Sequence, residues 1–239
     1  MIESKDNEKL KLVRKLRERK HRERQGLFAT EGEDLLEAGL AAGARPQFVL
    51  MATGAGIPAG DLPVDVVPQD LLASVSALGS GTRAIAVWPL AEAAAPQAPC
   101  VYLDAVGDPG NVGAIVRTAH ALLDATVALG PGCADPYGPK AARASMGSIF
   151  ARPPALVAGV EETPAPRVAL VAHGGDGLAA LSRAATLCLG AEREGLRPEV
   201  VAACDAEVTI PLRAGAESLN VAAAAAVACA RMSEERASA

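Results

Sequence analysis

Two polar residues six positions apart, Asn111 and Arg117, open what reads as a helix behind the glycine-rich turn Leu103-Asp104-Ala105-Val106-Gly107-Asp108-Pro109-Gly110. A guanidinium there could grip a phosphate or a ribose. It could also take a proton if the site depressed its pKa, a demanding role for a group that is normally always protonated. The glycines fall at 107, 110 and 113, so the G-x-G-x-x-G spacing of a dinucleotide loop is absent. A second polar loop, Gly190-Ala191-Glu192-Arg193-Glu194-Gly195, follows the apolar run Leu187-Cys188-Leu189. Glu192 and Glu194 invite a paired-carboxylate hydrolase, although carboxylates in such loops are more often solvated or paired with an arginine. A third segment runs from Val208-Thr209-Ile210-Pro211-Leu212-Arg213 through Ser218-Leu219-Asn220-Val221 into an Ala-rich helix over 222–232. Ser218 reads as a helix cap rather than a nucleophile, since no nucleophile elbow surrounds it.

The elements that must position these residues alternate. Strands are expected over 100–103, 125–129, 168–172, 185–189 and 207–210 with helical segments between them, the signature of a parallel sheet. In such a sheet ligands bind at the carboxyl ends of strands, where the first two loops would sit. The hydrophobic half of the composition is mostly Ala, Val and Leu, with one Trp, two Tyr and three Phe. Small aliphatic side chains suit strands buried on both faces, and the fold class is α/β. Ahead of this region a smaller α/β unit is expected. A helix over 1–25 carries a narrow apolar stripe at Leu10, Val13 and Leu16 and is ended by Gly26. Strands at 28–31, 48–51, 64–67 and 84–89 and helices at 32–42 and 68–78 complete it. The stretch 91–99 is poor in bulky apolar residues and ends in two prolines. The expected organisation is a first domain over 1–92, a linker over 93–99 and a second domain over 100–239.

Charge is distributed unevenly between these parts. The chain carries a net −5, yet residues 1–25 hold 10 of its 23 Lys and Arg against 5 of its 28 Asp and Glu, a local +5. As a lone charge run, Lys11, Arg14, Lys15, Arg17, Lys20, Arg22 and Arg24 read as a solvated helix laced by i,i+4 ion pairs; joined to a domain that acts on RNA, the same residues would be phosphate contacts. The five cysteines show no CxxC pair and no metal-ligand spacing, so they read as buried free thiols. No apolar run is long enough to span a bilayer, and a soluble, cytoplasmic protein without metal or membrane partner is expected.

Together, and in this order, the three segments resemble the motifs of the SpoU (TrmH) branch of the SPOUT RNA methyltransferases. The resemblance runs from about Cys100 to the end of the chain and takes in Asp135-Pro136-Tyr137 and Arg143-Ala144-Ser145-Met146-Gly147-Ser148-Ile149-Phe150. The amino part, with Arg22, Gly26-Leu27-Phe28 and Glu31-Gly32, is similar to the substrate-binding domain that precedes this fold in several rRNA methyltransferases.

The resemblance implies a mostly parallel sheet with a deep trefoil knot, a homodimer, and S-adenosyl-L-methionine bound by Val171, Ala172, His173, Gly174, Leu189, Gly190, Glu192, Gly195, Ile210, Pro211, Leu212, Ser218 and Leu219. It implies methylation of a ribose 2′-hydroxyl in structured RNA, rRNA favoured over tRNA, with Arg117 as base or phosphate clamp. Asn111, Glu192, Ser218 and Asn220 would order the site, Glu192 by a hydrogen bond to Arg117. Arg143 joins the RNA contacts. Ala191 and Arg193 stand where the second motif commonly has Asn and Gly, and Leu212 where the third has Met. Two other classes compete: a non-catalytic RNA-binding factor, which predicts damaged motif residues, and a nicotinamide-dependent oxidoreductase, which lacks its fingerprint.

Overall fold

The computed structural model describes residues 1–56, 61–79, 81–91, 94–214 and 218–237. Residues 92–93, at the expected domain boundary, and 215–217, in the third segment, lie outside the described residues. The chain forms two compact units, Met1–Glu92 with Asp135–Ala151, and Ala93–Ala134 with Arg152–Ala239.

The first unit runs α1 (Glu8–Lys15), α2 (Arg19–Gln25), β1 (Leu27–Glu31), α3 (Glu33–Ala41), β2 (Phe48–Ala52), β3 (Val64–Val67), α4 (Gln69–Ala73) and β4 (Ala84–Pro89). Its sheet order is β1-β4-β2-β3, antiparallel except for the β2–β3 pair. Period-2 alternation gives the sheet two apolar faces. Phe48, Leu50, Ile85 and Val87 meet Leu10, Val13 and Leu16 on one side, while Phe28, Val49, Ala86 and Trp88 meet Leu36 on the other.

The expected apolar stripe is buried, but the single helix over 1–25 is two. They break at Leu16–Glu18, where Arg22 turns inward, and Gly26 ends the second with φ 65°. Arg22 is 4% exposed. Its Nη1 donates to the carbonyls of Leu16 (2.7 Å) and Arg17 (2.9 Å), freed by the helix break, and its Nε and Nη2 donate to Asp135 Oδ2 at 3.0 and 2.5 Å. Arg22 is thus a structural cation, and the expectation that it contacts RNA phosphate is corrected by its burial.

Asp135–Ala151, with α6 (Pro139–Ala144) and α7 (Ser148–Ala151), belongs to this first unit although in sequence it lies between the second unit's strands. Aromatic packing explains the placement: Tyr137 and Phe150 sit 4.9 and 5.7 Å from Phe28, and Phe150 sits 4.7 Å from Trp88. Four of the six aromatic side chains in a chain poor in them are gathered here.

The second unit holds β5 (Cys100–Asp104), α5 (Pro109–Leu123), β6 (Thr126–Leu129), β7 (Ala155–Leu156), β8 (Arg167–Leu170), β9 (Thr186–Gly190), α8 (Pro198–Ala202), β10 (Ala206–Val208) and α9 (Val221–Ala237). The six strands are all parallel, in the order β10-β8-β9-β5-β6-β7. Both faces are covered, as a parallel sheet requires. Val101, Leu103, Val127, Leu187 and Leu189 pack with Ile115 and Val116 of α5 and Ala225 and Ala228 of α9. Cys100, Tyr102, Ala128 and Cys188 face Val200 of α8. Every cysteine is a free thiol, with Cys100, Cys188 and Cys229 buried and Cys133 and Cys204 partly so. Burial pushes the Cys100 and Cys229 thiols up to about 12. Among the described residues no helix is long and apolar enough to cross a membrane.

Candidate active site

In a parallel sheet all carboxyl ends point one way, so the segments leaving neighbouring strands are neighbours themselves. β5 and β9 are adjacent, with Asp104 paired to Gly190. The first two polar loops therefore start side by side, where the strand order reverses direction, the favoured ligand crevice of an open α/β sheet.

Each loop is shaped by its own sequence. After β5, the Ala105 N–H donates to Pro131 O and the Ala134 N–H to Val106 O, which ties the turn down. Asp108 then caps α5, its Oδ1 accepting from the Asn111 N–H at 2.9 Å, with Pro109 in the first turn where a missing donor costs nothing.

After β9, Ala191 and Gly195 exchange backbone hydrogen bonds of 3.1 and 2.9 Å, closing a tight turn whose exposed tip is Glu192, Arg193 and Glu194. Gly195 supplies the left-handed conformation at φ 71°. A Cβ at Gly190 would stand 2.1 Å from Gly195 C and Leu196 N. Glycine is required there because the loop's own backbone folds back on it, a reason distinct from approach by a ligand. Gly190→Ala is expected to destabilise the protein by about 1–3 kcal/mol, the usual penalty of overpacking against atoms that cannot yield. Urea unfolding followed by far-ultraviolet circular dichroism measures it, and an unchanged midpoint would contradict this account.

The third segment follows β10. Asn220, rather than Ser218, caps α9: its Oδ1 accepts from the N–H groups of Ala222 (2.9 Å) and Ala223 (3.3 Å). Ser218 is exposed and makes no hydrogen bond among the described residues. Asn220 Nδ2 donates to Asn111 Oδ1 at 3.1 Å, and Asn111 Nδ2 donates to Glu192 Oε1 at 2.5 Å. One side chain from each of the three segments thus joins a single hydrogen-bonded line, and both ends of the Asn111 amide are used.

Arg117 stands apart from that line. Six residues along α5 place it about 9 Å further down the axis. It is exposed and without a hydrogen bond or ion pair among the described residues. Glu192 receives the Asn111 amide, so the expected Glu192–Arg117 hydrogen bond is replaced by one to Asn111.

The loop after β8 carries Val171, Ala172, His173 and Gly174. The Val171 N–H donates to Val208 O and the Asp176 N–H to Glu207 O, and Asp176 O accepts from the Thr209 N–H. These bonds bring it against the start of the third segment. Along that segment Ile210 and Leu212 are half-buried, Pro211 is exposed and Leu219 is 40% exposed. Leu189 is buried in β9.

Sequence reasoning missed the Asp104–Arg197 pair. Asp104 closes β5 with no exposure at all, and Arg197 Nη2 and Nε donate to its Oδ1 at 2.6 and 3.0 Å. A carboxylate that terminates an apolar strand run was the available signal.

Residues 98–230 match the SpoU rRNA Methylase family, more than half of the chain. The chain belongs to the SpoU family. Ahead of the SpoU region, residues 7–84 match the MRM3-like substrate binding domain. This SpoU protein is 34% identical to the 23S rRNA (guanosine(2553)-2′-O)-methyltransferase RlmP of Bacillus subtilis, over 95% of this chain and 96% of that one. Among solved structures it resembles an RNA 2′-O ribose methyltransferase (28% identity, TM-score 0.83, 99% of both chains). It also resembles an AdoMet-bound rRNA methyltransferase from Sinorhizobium meliloti (25% identity, TM-score 0.83, 97% of this chain and 96% of that one).

Proposed function

We propose that this SpoU protein methylates a ribose 2′-hydroxyl in structured rRNA, with S-adenosyl-L-methionine as methyl donor. The observation that carries the reading is the hydrogen-bonded line Glu192–Asn111–Asn220, one residue from each of three segments, at the carboxyl ends of a parallel sheet. The residues present fit the donor. The loops after β8, β9 and β10 offer backbone groups at 171–174 and 190–195, and Ile210, Leu212 and the exposed Leu219 supply apolar surface for an adenine ring.

The bound donor supplies an electrophilic methyl on a sulfonium. The protein's task is to align the ribose oxygen and handle its proton. Arg117 projects a guanidinium free of protein partners among the described residues, able to hold an RNA phosphate or accept the 2′-hydroxyl proton. Asn111, locked at both ends, fixes the mouth of α5, and Ser218 adds a hydroxyl next to the cap of α9. The five unpaired thiols support a reducing, cytoplasmic setting. Dimerisation through α5 and α9 is part of the proposal, supported by the exposed apolar residues Leu122 and Val227. The family's trefoil knot is part of it too, supported by the hydrogen bonds that draw the loop after β8 onto residues 207–209.

Incubation with methyl-labelled S-adenosylmethionine and unmodified rRNA, followed by alkaline hydrolysis, tests the chemistry. Labelled dinucleotides that resist hydrolysis are expected. Label confined to mononucleotides would place the methyl on a base and overturn the ribose reading.

RNA capture is assigned to the first unit. Lys15, Arg17, Lys20 and Arg24 are exposed there, and Lys11 and Arg14 partly so. Arg143 remains half-exposed but is held by both oxygens of Asp34 at 2.6 and 2.7 Å. Replacing Lys15, Lys20 and Arg24 together by Gln is expected to weaken RNA binding and flatten its salt dependence by about 0.7–0.9 in log–log slope for each phosphate that is no longer neutralised. Filter binding across a salt series reads the slope; an unchanged slope would place RNA elsewhere.

A further inference from the structure

The buried Asp104 takes no part in the hydrogen-bonded line through Asn111, yet it lies beneath it. Its carboxylate is wholly out of solvent, where an ion persists only if paired and hydrogen-bonded. Four contacts satisfy it, all from Arg197: Nε and Nη2 reach Oδ1, and the backbone N–H and Nε reach Oδ2 at 3.0 and 3.1 Å. The hydrogen bond to Asp104 holds the Arg197 guanidinium above the ordinary arginine range. Arg197 itself is half-exposed, its side chain 42% open to solvent.

The partners of Asp104 flank the polar loop on both sides. Gly190, where the loop begins, is its register partner in β9, and Arg197 follows the turn closed by Ala191 and Gly195. Between these anchors stands Glu192, which holds Asn111. On its own strand Asp104 leads within four residues to Asp108, the cap of α5 whose first turn contains Asn111. One buried carboxylate therefore sits at the root of both segments whose side chains meet at the Glu192–Asn111 hydrogen bond.

We propose that Asp104 is a positioning residue, which through Arg197 and Gly190 clasps both ends of the 190–197 loop and sets where Glu192 stands against Asn111. The role rests on the reading of this loop as part of the S-adenosylmethionine site.

The test uses the full chain and measures S-adenosylmethionine binding by calorimetry, independent of turnover. Arg197→Met is the main variant because its side chain is half-exposed, whereas Asp104→Asn would alter a group sealed inside the sheet and put folding itself at risk. Arg197→Met should weaken binding about tenfold, the scale on which loosened supports act on a site. Arg197→Lys, which restores a cation to Asp104, should recover most of that loss. RNA affinity should stay at the wild-type value in both, since the clasp touches no proposed RNA contact. A merely structural pair would lower the unfolding midpoint and leave the affinity of the folded protein unchanged. Arg197→Met binding within about twofold of wild type overturns the positioning role. Wild-type protein that binds RNA but no S-adenosylmethionine overturns the reading of the site itself, and the role with it.

Discussion

Arg117→Ala is expected to slow methyl transfer by about 10²–10⁴-fold, the range covered by a lost proton-transfer group, while S-adenosylmethionine affinity and fold stability stay at wild-type values. The second half of the expectation follows from the structure. Arg117 is exposed on α5 and makes no hydrogen bond or ion pair among the described residues, so its removal leaves no orphaned partner and no cavity. Arg117→Lys separates its two candidate duties. A phosphate clamp needs the charge, and a lysine keeps it while losing the bidentate fork, so RNA affinity would fall modestly and the loss of rate would not depend on pH. A base needs a deprotonated fraction, and a lysine, which ordinarily titrates near about 10.4, supplies more of it than any arginine. In that case the variant's rate would climb with pH. Single-turnover transfer of labelled methyl at several pH values reads the difference. Wild-type rates in Arg117→Ala would remove Arg117 from the mechanism.

The sequence carried the fold class and the catalytic-side strands because a parallel sheet buried on both faces leaves a local record, apolar runs at regular intervals. Cys100–Asp104 and Thr186–Gly190 are such runs, and both segments that meet at Asn111 and Glu192 follow from them. What stayed illegible depends on partners far along the chain. The continuous stripe Leu10, Val13 and Leu16 gives no sign of the break at Leu16–Glu18, because the group that accommodates it, Arg22, is fixed by Asp135, 113 residues away. The same pairing joins the aromatic contacts of Tyr137 and Phe150 in holding 135–151, similar in sequence to a segment of the catalytic family, in the first unit. The local pattern marks Asp104 as a carboxylate closing an apolar run, but its partner Arg197 lies 93 residues away, beyond the reach of that pattern. Pro68–Leu78 reads as one helix, but only Gln69–Ala73 forms, and the chain beyond it is held instead by the Glu31 carboxylate, which accepts from Ser76 Oγ and the Ala77 N–H. Ser218 and Asn220 are both good caps, and propensity does not choose between them; the choice falls to Asn220, whose amide also reaches Asn111.

Arg22→Met should destabilise the first unit by about 3–5 kcal/mol, the usual result when one partner of a buried ion pair is removed. Two losses combine. The carboxylate of Asp135, only 17% exposed, is left without its cation, and the carbonyls of Leu16 and Arg17 lose their donors at the point where α1 gives way to α2. The single tryptophan makes the effect measurable in this unit alone: Trp88 is buried there between the sheet and Phe150, and its fluorescence follows unfolding of the first unit. Arg24→Met is the matched control. Arg24 lies on the same short helix but faces solvent, so its loss should move the midpoint by less than about 0.5 kcal/mol while weakening RNA binding. Adding Asp135→Asn to Arg22→Met should restore part of the stability, because the second change removes the charge that the first left uncompensated. Two arginines two positions apart would then divide the work of the basic segment, one holding the helix break closed and one meeting phosphate. If Arg22→Met unfolds like wild type yet loses RNA affinity, the buried pair is not what secures this unit and the division between the two residues fails.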